Sequence, residues 1–129
     1  QYSKQINIEA KASLVMVKSL YIPAIIHYTK ELAEGIEKLE AVNASADVQR
    51  DLLSKVSTHL KSAYRNTRKL ETEREKALKI SDSLKCAEVF RDKVQVVMAD
   101  LRKDIDILET LIPRKLWPVP TYADLLFKL

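Results

Sequence analysis

Apolar residues recur every three or four positions through three long segments of this chain, and this spacing constrains the fold more than any other feature. A period near 3.6 residues is typical of amphipathic α-helices. Gly35 is the only glycine among 129 residues, whereas sheets need glycine in their turns. The pattern predicts helices over Ile6–Val42, Ala46–Ile80 and Asp82–Leu111.

The connections between these segments are short, which favours antiparallel packing of consecutive helices. Ser45, followed by Asp47, is the predicted N-cap of the second helix, and the break at residues 80–83 offers another cap. We therefore expect an all-α fold. It would be an elongated antiparallel up-down bundle of three long helices, about 45–50 Å long, with a Pro-rich C-terminal tail and a short terminal helix.

The length fits one domain, residues 1–129, with a single core. Cys86 is the only cysteine, so no internal disulfide can form, which favours a reducing compartment such as the cytoplasm. The first residues show no signal-peptide pattern. The sequence does not begin with Met, and we expect it to be a piece of a longer chain.

Basic residues are concentrated between Lys61 and Lys79, where seven Lys and Arg face three Glu and account for the whole net charge of +4. The mixed signs indicate a solvated helix face with pairs one turn apart. The alternative is a bundle that binds nucleic acid through this stripe. Its candidate residues are Arg65, Arg68, Lys69 and Arg74.

The first predicted helix is apolar on several faces between Ala12 and Thr29, where Lys18 is the only charged residue. Lys18 and His27 interrupt this stretch, which argues against a membrane span. A helix that is apolar on several faces is normally buried on several faces, so we expect something to cover its outer side. Pro23 lies inside it and predicts a static kink rather than a hinge.

The sequence offers little catalytic chemistry. We interpret His27 and His59 as isolated histidines, outside the carboxylate–histidine spacing of helical metal sites. Cys86 has no partner cysteine, and one glycine cannot build a phosphate-binding loop. We predict no catalytic, cofactor-binding or metal-binding residue in this chain, and no turnover by the chain alone.

The C-terminal run LWPVPTYADLLF predicts a docking strip. Pro113, Pro118 and Pro120 stop the last helix, and large apolar side chains follow. We expect Trp117 to pack against the helices while the segment from Tyr122 to Phe127 covers the outer side of the first helix. The candidate docking residues are Trp117, Tyr122, Leu125, Phe127, Val15, Leu20 and Ile22.

Both ends of the chain resemble the C-terminal helical region of type III glutamine synthetases. The opening motif has an IEA segment, an internal I-P-A and a later Tyr, and the closing motif is W-P-x-P-x-Y-x-x-L-L-F. The matching residues are Ile8, Glu9, Ala10, Ile22, Pro23, Ala24 and Tyr28 at the start, and Trp117, Pro118, Pro120, Tyr122, Leu125, Leu126 and Phe127 at the end. The middle, from about Ala41 to Asp106, resembles the family only in helical pattern.

The resemblance implies a parent enzyme that joins glutamate and ammonia with ATP and a divalent metal, Mg or Mn. It implies a cytoplasmic homo-oligomer of stacked rings, with the catalytic residues in an upstream domain of the same chain. This region would then serve in subunit packing and docking. The alternatives are a free-standing helical protein-interaction module and the nucleic-acid-binding bundle named above.

Overall fold

The structure is a computed structural model that describes residues 2–119, and the regular structure in that range is entirely helical. The first helical segment consists of α1 (Tyr2–Met16), a first π turn (Val17–Tyr21) and α2 (Ile22–Ala41). The second is one helix, α3 (Asp47–Leu78). The third consists of α4 (Ser83–Val89), a second π turn (Phe90–Val94) and α5 (Gln95–Leu111). The predicted all-α class is confirmed.

The helix ends follow local chemistry at both connections. Asn43 adopts a left-handed backbone with φ 60°, a conformation that Asn tolerates better than most residues, and it reverses the chain after α2. Asp82 is the N-cap of α4, and its carboxylate accepts the Leu84 N–H at 3.1 Å. The predicted cap of α3 was wrong in position, because Ala46 is the N-cap. Ser45 lies one residue earlier, where its hydroxyl accepts the Asp47 N–H at 3.3 Å.

Side-chain pairs show that the first segment and α3 run antiparallel, because residues later in one are paired with residues earlier in the other. Residues late in the first segment meet the start of α3, and early residues meet its end. The pairs are Glu40 with Arg50 at 2.6 Å, Lys18 with Glu71 at 2.6 Å and Asn7 with Arg74 at 2.7 Å. Between α3 and the third segment, Ser62 meets Asp104 while Ala77 meets Cys86, again in opposite order.

One apolar core lies between the three segments, and every segment contributes to it. Its largest fully buried side chains are Phe90, Ile25, Leu70, Leu101, Leu108, Val56 and Val94. Small residues let the helices approach closely, since Ala10, Ala63 and Ala77 are completely buried. Burial of this apolar surface is the main stabilising term for a chain in which the described residues include no disulfide.

The first π turn corrects the register of the buried stripe. Between Ile6 and Ile25 the core positions advance by five steps over 25 − 6 = 19 residues, through Ala10, Leu14, Val17 and Tyr21. Five turns of regular α-helix take only about 18 residues. The wider π turn takes up the extra residue, so Ile6 and Ile25 both face the core. Three long helices were predicted, and the first and third segments are instead each divided by a π turn.

Pro23 lies in the first turn of α2, immediately after the first π turn. Proline has no N–H to donate, and in an α-helix its ring presses on the carbonyl of the residue four positions earlier. Here the last π-type bond is made by the Ile22 N–H to the Val17 carbonyl, one residue before the proline. The irregularity that the sequence predicts at Pro23 therefore has the form of a π turn.

After α5 the chain turns back onto the core. Ile112 is extended, Pro113 follows, and a short 3₁₀ turn (Arg114–Leu116) leads to Trp117. Trp117 is buried, and Val119 is half-buried against the same core. Within residues 2–119, no helix has the length and apolar character needed to cross a membrane.

Candidate docking surfaces

The described part of the chain contains no group of three His, Cys, Asp or Glu residues placed to hold a metal ion. The interpretation of His27 as an isolated histidine was wrong, because Glu31 lies four residues later with its Oε1 3.8 Å from Nε2. Both side chains are more than half exposed, so this is a surface pair on one helix face. Two ligands from one helix turn do not enclose a metal ion.

Large apolar side chains are exposed on the side of the first segment that faces away from the core. Ile8 is 62% exposed, Val15 57% and Leu20 41%. Ile8 and Val15 are seven residues apart, which is about two helical turns and places them on one face, whereas Leu20 comes five residues after Val15 and lies on an adjacent face. We call Ile8, Val15 and Leu20 the outer strip. Ile22 is not part of it, because Ile22 is half-buried against the core.

A second apolar surface is a groove between the first segment and α5, with a volume of about 590 Å³. We call it the α1–α5 groove. One wall includes Ala12 and Met16, and the other includes Met98 and Ile105. Glu9, Gln95, Arg102 and Asp106 also line it, so its edges are polar. The groove was not predictable from the sequence pattern, because its two walls come from segments about 80 residues apart in the chain.

Trp117 and Tyr21 meet at one end of the α1–α5 groove. Their ring centroids are 5.0 Å apart and the planes are inclined by 42°, a tilted arrangement within the favourable range for aromatic pairs. Burial raises the pKa of the Tyr21 phenol, and the carboxylates of Glu109 and Asp106 raise it further, while Arg102 acts in the opposite direction. Trp117 thus fixes the start of the C-terminal tail beside the groove.

A polar cluster joins α3 to α5 inside the core. Asp104 is 7% exposed, and its Oδ2 accepts hydrogen bonds from the Ser62 hydroxyl at 2.9 Å and the Asn66 amide at 2.8 Å. Buried carboxylates are stable only when such donors replace the lost water. The cluster therefore specifies one alignment of α3 against α5. It lies on the α3 side of the bundle and lines neither apolar surface.

The basic stripe lies on the exposed side of α3, where Lys61, Arg65, Arg68 and Lys69 all face solvent. Tyr64 among them is 53% exposed. The C-terminal part of the stripe serves a different purpose, because Arg74 donates to Asn7 and Glu71 pairs with Lys18. These contacts connect α3 to the first helical segment, so the stripe is partly structural.

The structure places the predicted docking residues that it describes in different environments. Val15 and Leu20 lie on the outer strip, Ile22 lies against the core, and Trp117 is buried beside Tyr21. Tyr122, Leu125 and Phe127 lie outside the described residues, and the contacts predicted for them remain predictions.

The described residues thus make up an all-helical chain with open apolar surfaces and no metal cluster. A family model described as the glutamine synthetase C-terminal domain matches residues 1–40. The chain is 27% identical over 130 residues to a glutamine synthetase of Butyrivibrio fibrisolvens, with 99% of this chain and 19% of that protein covered. It is 26% identical over 132 residues to a type-3 glutamine synthetase of Dictyostelium discoideum, with 98% of this chain and 18% of the relative covered.

A glutamine synthetase of Bacteroides fragilis (strain YCH46) is 23% identical over 134 residues, which cover 98% of this chain and 18% of the relative. No solved structure matches the chain significantly. The resemblance to the glutamine synthetase C-terminal domain is confirmed. The chain spans about a fifth of the length of the curated relatives that it matches.

Proposed function

We propose that this chain is the non-catalytic C-terminal helical domain of a type III glutamine synthetase, with residues 1–129 folding as one domain. The two terminal motifs support the type III assignment, as does the similarity to a relative that is itself named type-3. The three helical segments form an elongated up-down-up bundle. The opposite order of the side-chain pairs between segments supports this arrangement.

The observation that carries the packing role is the outer strip. Ile8, Val15 and Leu20 are exposed on a side of α1 and the first π turn that the described residues leave uncovered. Solvent-exposed apolar patches of this kind mark protein–protein contacts. The strip docks onto the upstream catalytic domain or onto a neighbouring subunit, and burial of its side chains drives that contact.

The parent enzyme joins glutamate and ammonia with ATP, works with Mg or Mn in the cytoplasm, and assembles as a homo-oligomer of stacked rings. Its metal ligands would come from the upstream catalytic domain. We expect the 129-residue protein alone to form no glutamine above background when it is supplied with glutamate, ammonia, ATP and either metal.

Two experiments test this function. The first determines the reading frame upstream of Gln1, which should encode a catalytic domain. A frame without one would favour a free-standing helical interaction module instead. The second introduces Val15→Asp into the full-length protein, with Val48→Asp as the control, because Val48 is 77% exposed but lies at the start of α3, far along the bundle.

Analytical ultracentrifugation and glutamine formation are then measured for both variants. A charge on the outer strip should dissociate the assembly and lower its activity, whereas Val48→Asp should leave both unchanged. An intact assembly in Val15→Asp would remove the outer strip from the interface. Circular dichroism of each variant checks that the helices are retained.

A further inference from the structure

We propose that the exposed side of α3 is a docking surface for an acidic α-helix of a partner protein. Six cationic side chains lie within about 100° around α3, because their spacing repeatedly returns to one side of a helix with 3.6 residues per turn. We call these exposed residues the basic face: Lys61, Arg65, Arg68, Lys69, Lys76 and Lys79. The basic face shares no residue with the outer strip, so the inference does not depend on the proposed enzyme.

The cations of the basic face differ from other surface cations of the domain in having no internal partner. Lys18, Arg50 and Lys55 each lie within 3.1 Å of a carboxylate oxygen. Within residues 2–119, no carboxylate lies within 4.0 Å of a cation on the basic face. Glu71 comes from the same stretch of α3, but it is turned toward Lys18 of the first segment. The ion pairs one turn apart that were expected from the sequence therefore do not form on this face.

Several cations of the basic face repel each other along the helix. Lys61 precedes Arg65 by four residues, and Arg65 precedes Lys69 by four. Like charges at this spacing destabilise a helix. Because no described residue supplies the opposite charge, only groups from outside residues 2–119 can compensate them. A row of carboxylates on a partner would replace this repulsion with attraction.

The basic face has the length of a helix-to-helix contact. Helix α3 is uninterrupted for 32 residues, and the 79 − 61 = 18 residues of the basic face cover about 27 Å at 1.5 Å per residue. A partner helix of similar length can therefore place carboxylates opposite the cations of residues 61–69 and 76–79. The domain already joins helices in this way, since Lys18 meets Glu71 across two segments at 2.6 Å.

Two features favour a carboxylate-bearing helix over a nucleic acid. Glu75 is exposed on the same side of α3, where it would repel a phosphate backbone. A partner helix can instead carry a cation opposite Glu75. Tyr64, which is 53% exposed, is the only aromatic residue between Lys61 and Lys79, whereas proteins that bind single strands stack bases on several aromatic side chains.

Two synthetic peptides of equal composition test the surface. Each has about 18 residues, enough to span the basic face, and each is held helical by the same hydrocarbon cross-link. One carries its glutamates three and four positions apart on one side, and the other carries the same glutamates distributed around the helix. Fluorescence anisotropy at low salt should show that the one-sided peptide binds more tightly. Equal affinities would mean that the protein responds to net charge alone and would overturn the proposal.

The double variant Arg65→Glu, Arg68→Glu locates the contact. Each exposed ion pair changes an equilibrium constant by a factor of about two to five, so loss of two pairs together with the new repulsion should weaken peptide binding by about tenfold or more. The matched control is Lys11→Glu, Lys103→Glu, which changes the net charge equally at exposed positions of α1 and α5. It should retain most of the affinity, and equal losses in the two variants would contradict the assignment.

Circular dichroism checks that both variants keep their helices. Arg65→Gln, Arg68→Gln removes the two charges without adding repulsion, so it answers the question even if the glutamate variant is poorly folded. It should lose less affinity than the glutamate variant but more than the control. Binding should also weaken as the salt concentration rises from 0.1 M to 1 M, because the Debye length falls from about 10 Å to about 3 Å. Peptide binding that does not depend on salt would refute an electrostatic contact.

Two other occupants are distinguished in the same experiments. Single-stranded and duplex DNA oligonucleotides compete with the labelled one-sided peptide, and neither should bind more tightly than the peptide at equal salt. Tighter binding of DNA would assign the basic face to nucleic acid and refute the proposal. Sedimentation equilibrium of the protein alone at low salt should show no association that Arg65→Glu, Arg68→Glu abolishes. Such an association would place a second copy on this face and equally refute it.

Discussion

The middle helix α3 and the first helical segment are both long, yet they meet the rest of the molecule in different ways. Helix α3 continues without interruption for 32 residues and buries one stripe, from Val56 through Leu70 to Ala77. The first segment contains a π turn and a proline, and it exposes apolar side chains on the side opposite its core stripe. A helix with one apolar stripe completes its packing inside the domain. A helix with several apolar sides leaves surfaces for other partners.

Helix α3 and the first helical segment should differ most in their tolerance of a one-residue deletion. Ser57 is exposed on α3, but its removal turns every later core residue of that helix by about 100°. Deletion of Ser19 removes the residue that the first π turn accommodates, so the stripe stays aligned. Because Pro23 would then lie inside a regular helix, at a cost of about 3 kcal/mol, both deletions are made in a Pro23→Ala background.

We expect the Ser57 deletion to abolish cooperative thermal unfolding, while the Ser19 deletion retains it. Thermal unfolding of the two proteins, followed by circular dichroism, tests this prediction. Loss of the transition in both would show that the π turn does not act as a register correction.

Substitution of Trp117 measures how much its contact with Tyr21 of the first segment contributes to stability. Trp117→Ala should lower the free energy of unfolding by about 3 kcal/mol, since it empties a buried aromatic site against Tyr21. Truncation after Leu116 should cost a similar amount. Trp117→Phe keeps a ring and should lose less. An unchanged urea midpoint in the alanine variant would mean that the indole contributes no net stability there.

In the polar cluster between α3 and α5, Asp104→Ala should lower the free energy of unfolding by about 2 kcal/mol. The Ser62 and Asn66 donors would then lose their acceptor inside the core. Asp106→Ala on the exposed side of α5 is the matched control and should change stability by less than about 0.5 kcal/mol. Chemical denaturation of both variants gives the comparison. Equal small losses would show that the cluster does not hold α3 against α5.

Substitution of Gly35 in α2 should have a smaller effect, and it should stabilise the domain rather than destabilise it. A Cβ built at this position meets no atom within 4 Å, so alanine fits without strain. Gly35→Ala should raise the free energy of unfolding by about 0.5–1 kcal/mol through helix propensity. A lower melting temperature in this variant would indicate a contact that the described residues do not supply.

The smallest effect appears only in alkaline solution. The folded-state pKa of Tyr21 is raised above its ordinary value of 10.0, chiefly by burial, so the folded protein holds the phenolic proton more tightly than the unfolded chain. This contribution is fully present below pH 10 and is lost as the pH rises through the raised pKa. Tyr21→Phe should therefore flatten the fall in stability above pH 10. Tyr28, whose pKa is also raised, by burial and by Glu31, should contribute to the remaining slope.

The sequence predicted the helical class, the ends of the three segments to within four residues and the end of the last helix at Leu111, because periodicity and proline act locally. It also contained a signal that was missed. The step lengths 4, 4, 3, 4 and 4 from Ile6 to Ile25 average 3.8 residues, more than an α-helix provides. The α1–α5 groove and the Asp104 cluster could not be predicted in this way, because each depends on the alignment of segments far apart in the chain.

The first π turn also has an evolutionary consequence. One residue inserted into an established α-helix produces such a turn, provided that the helix on both sides keeps its contacts with the core. The first π turn near Ser19 has the form that such an insertion would leave. Relatives that lack a proline at the position of Pro23 are expected to include some that are one residue shorter between Val17 and Ile22, and their helix should be continuous there.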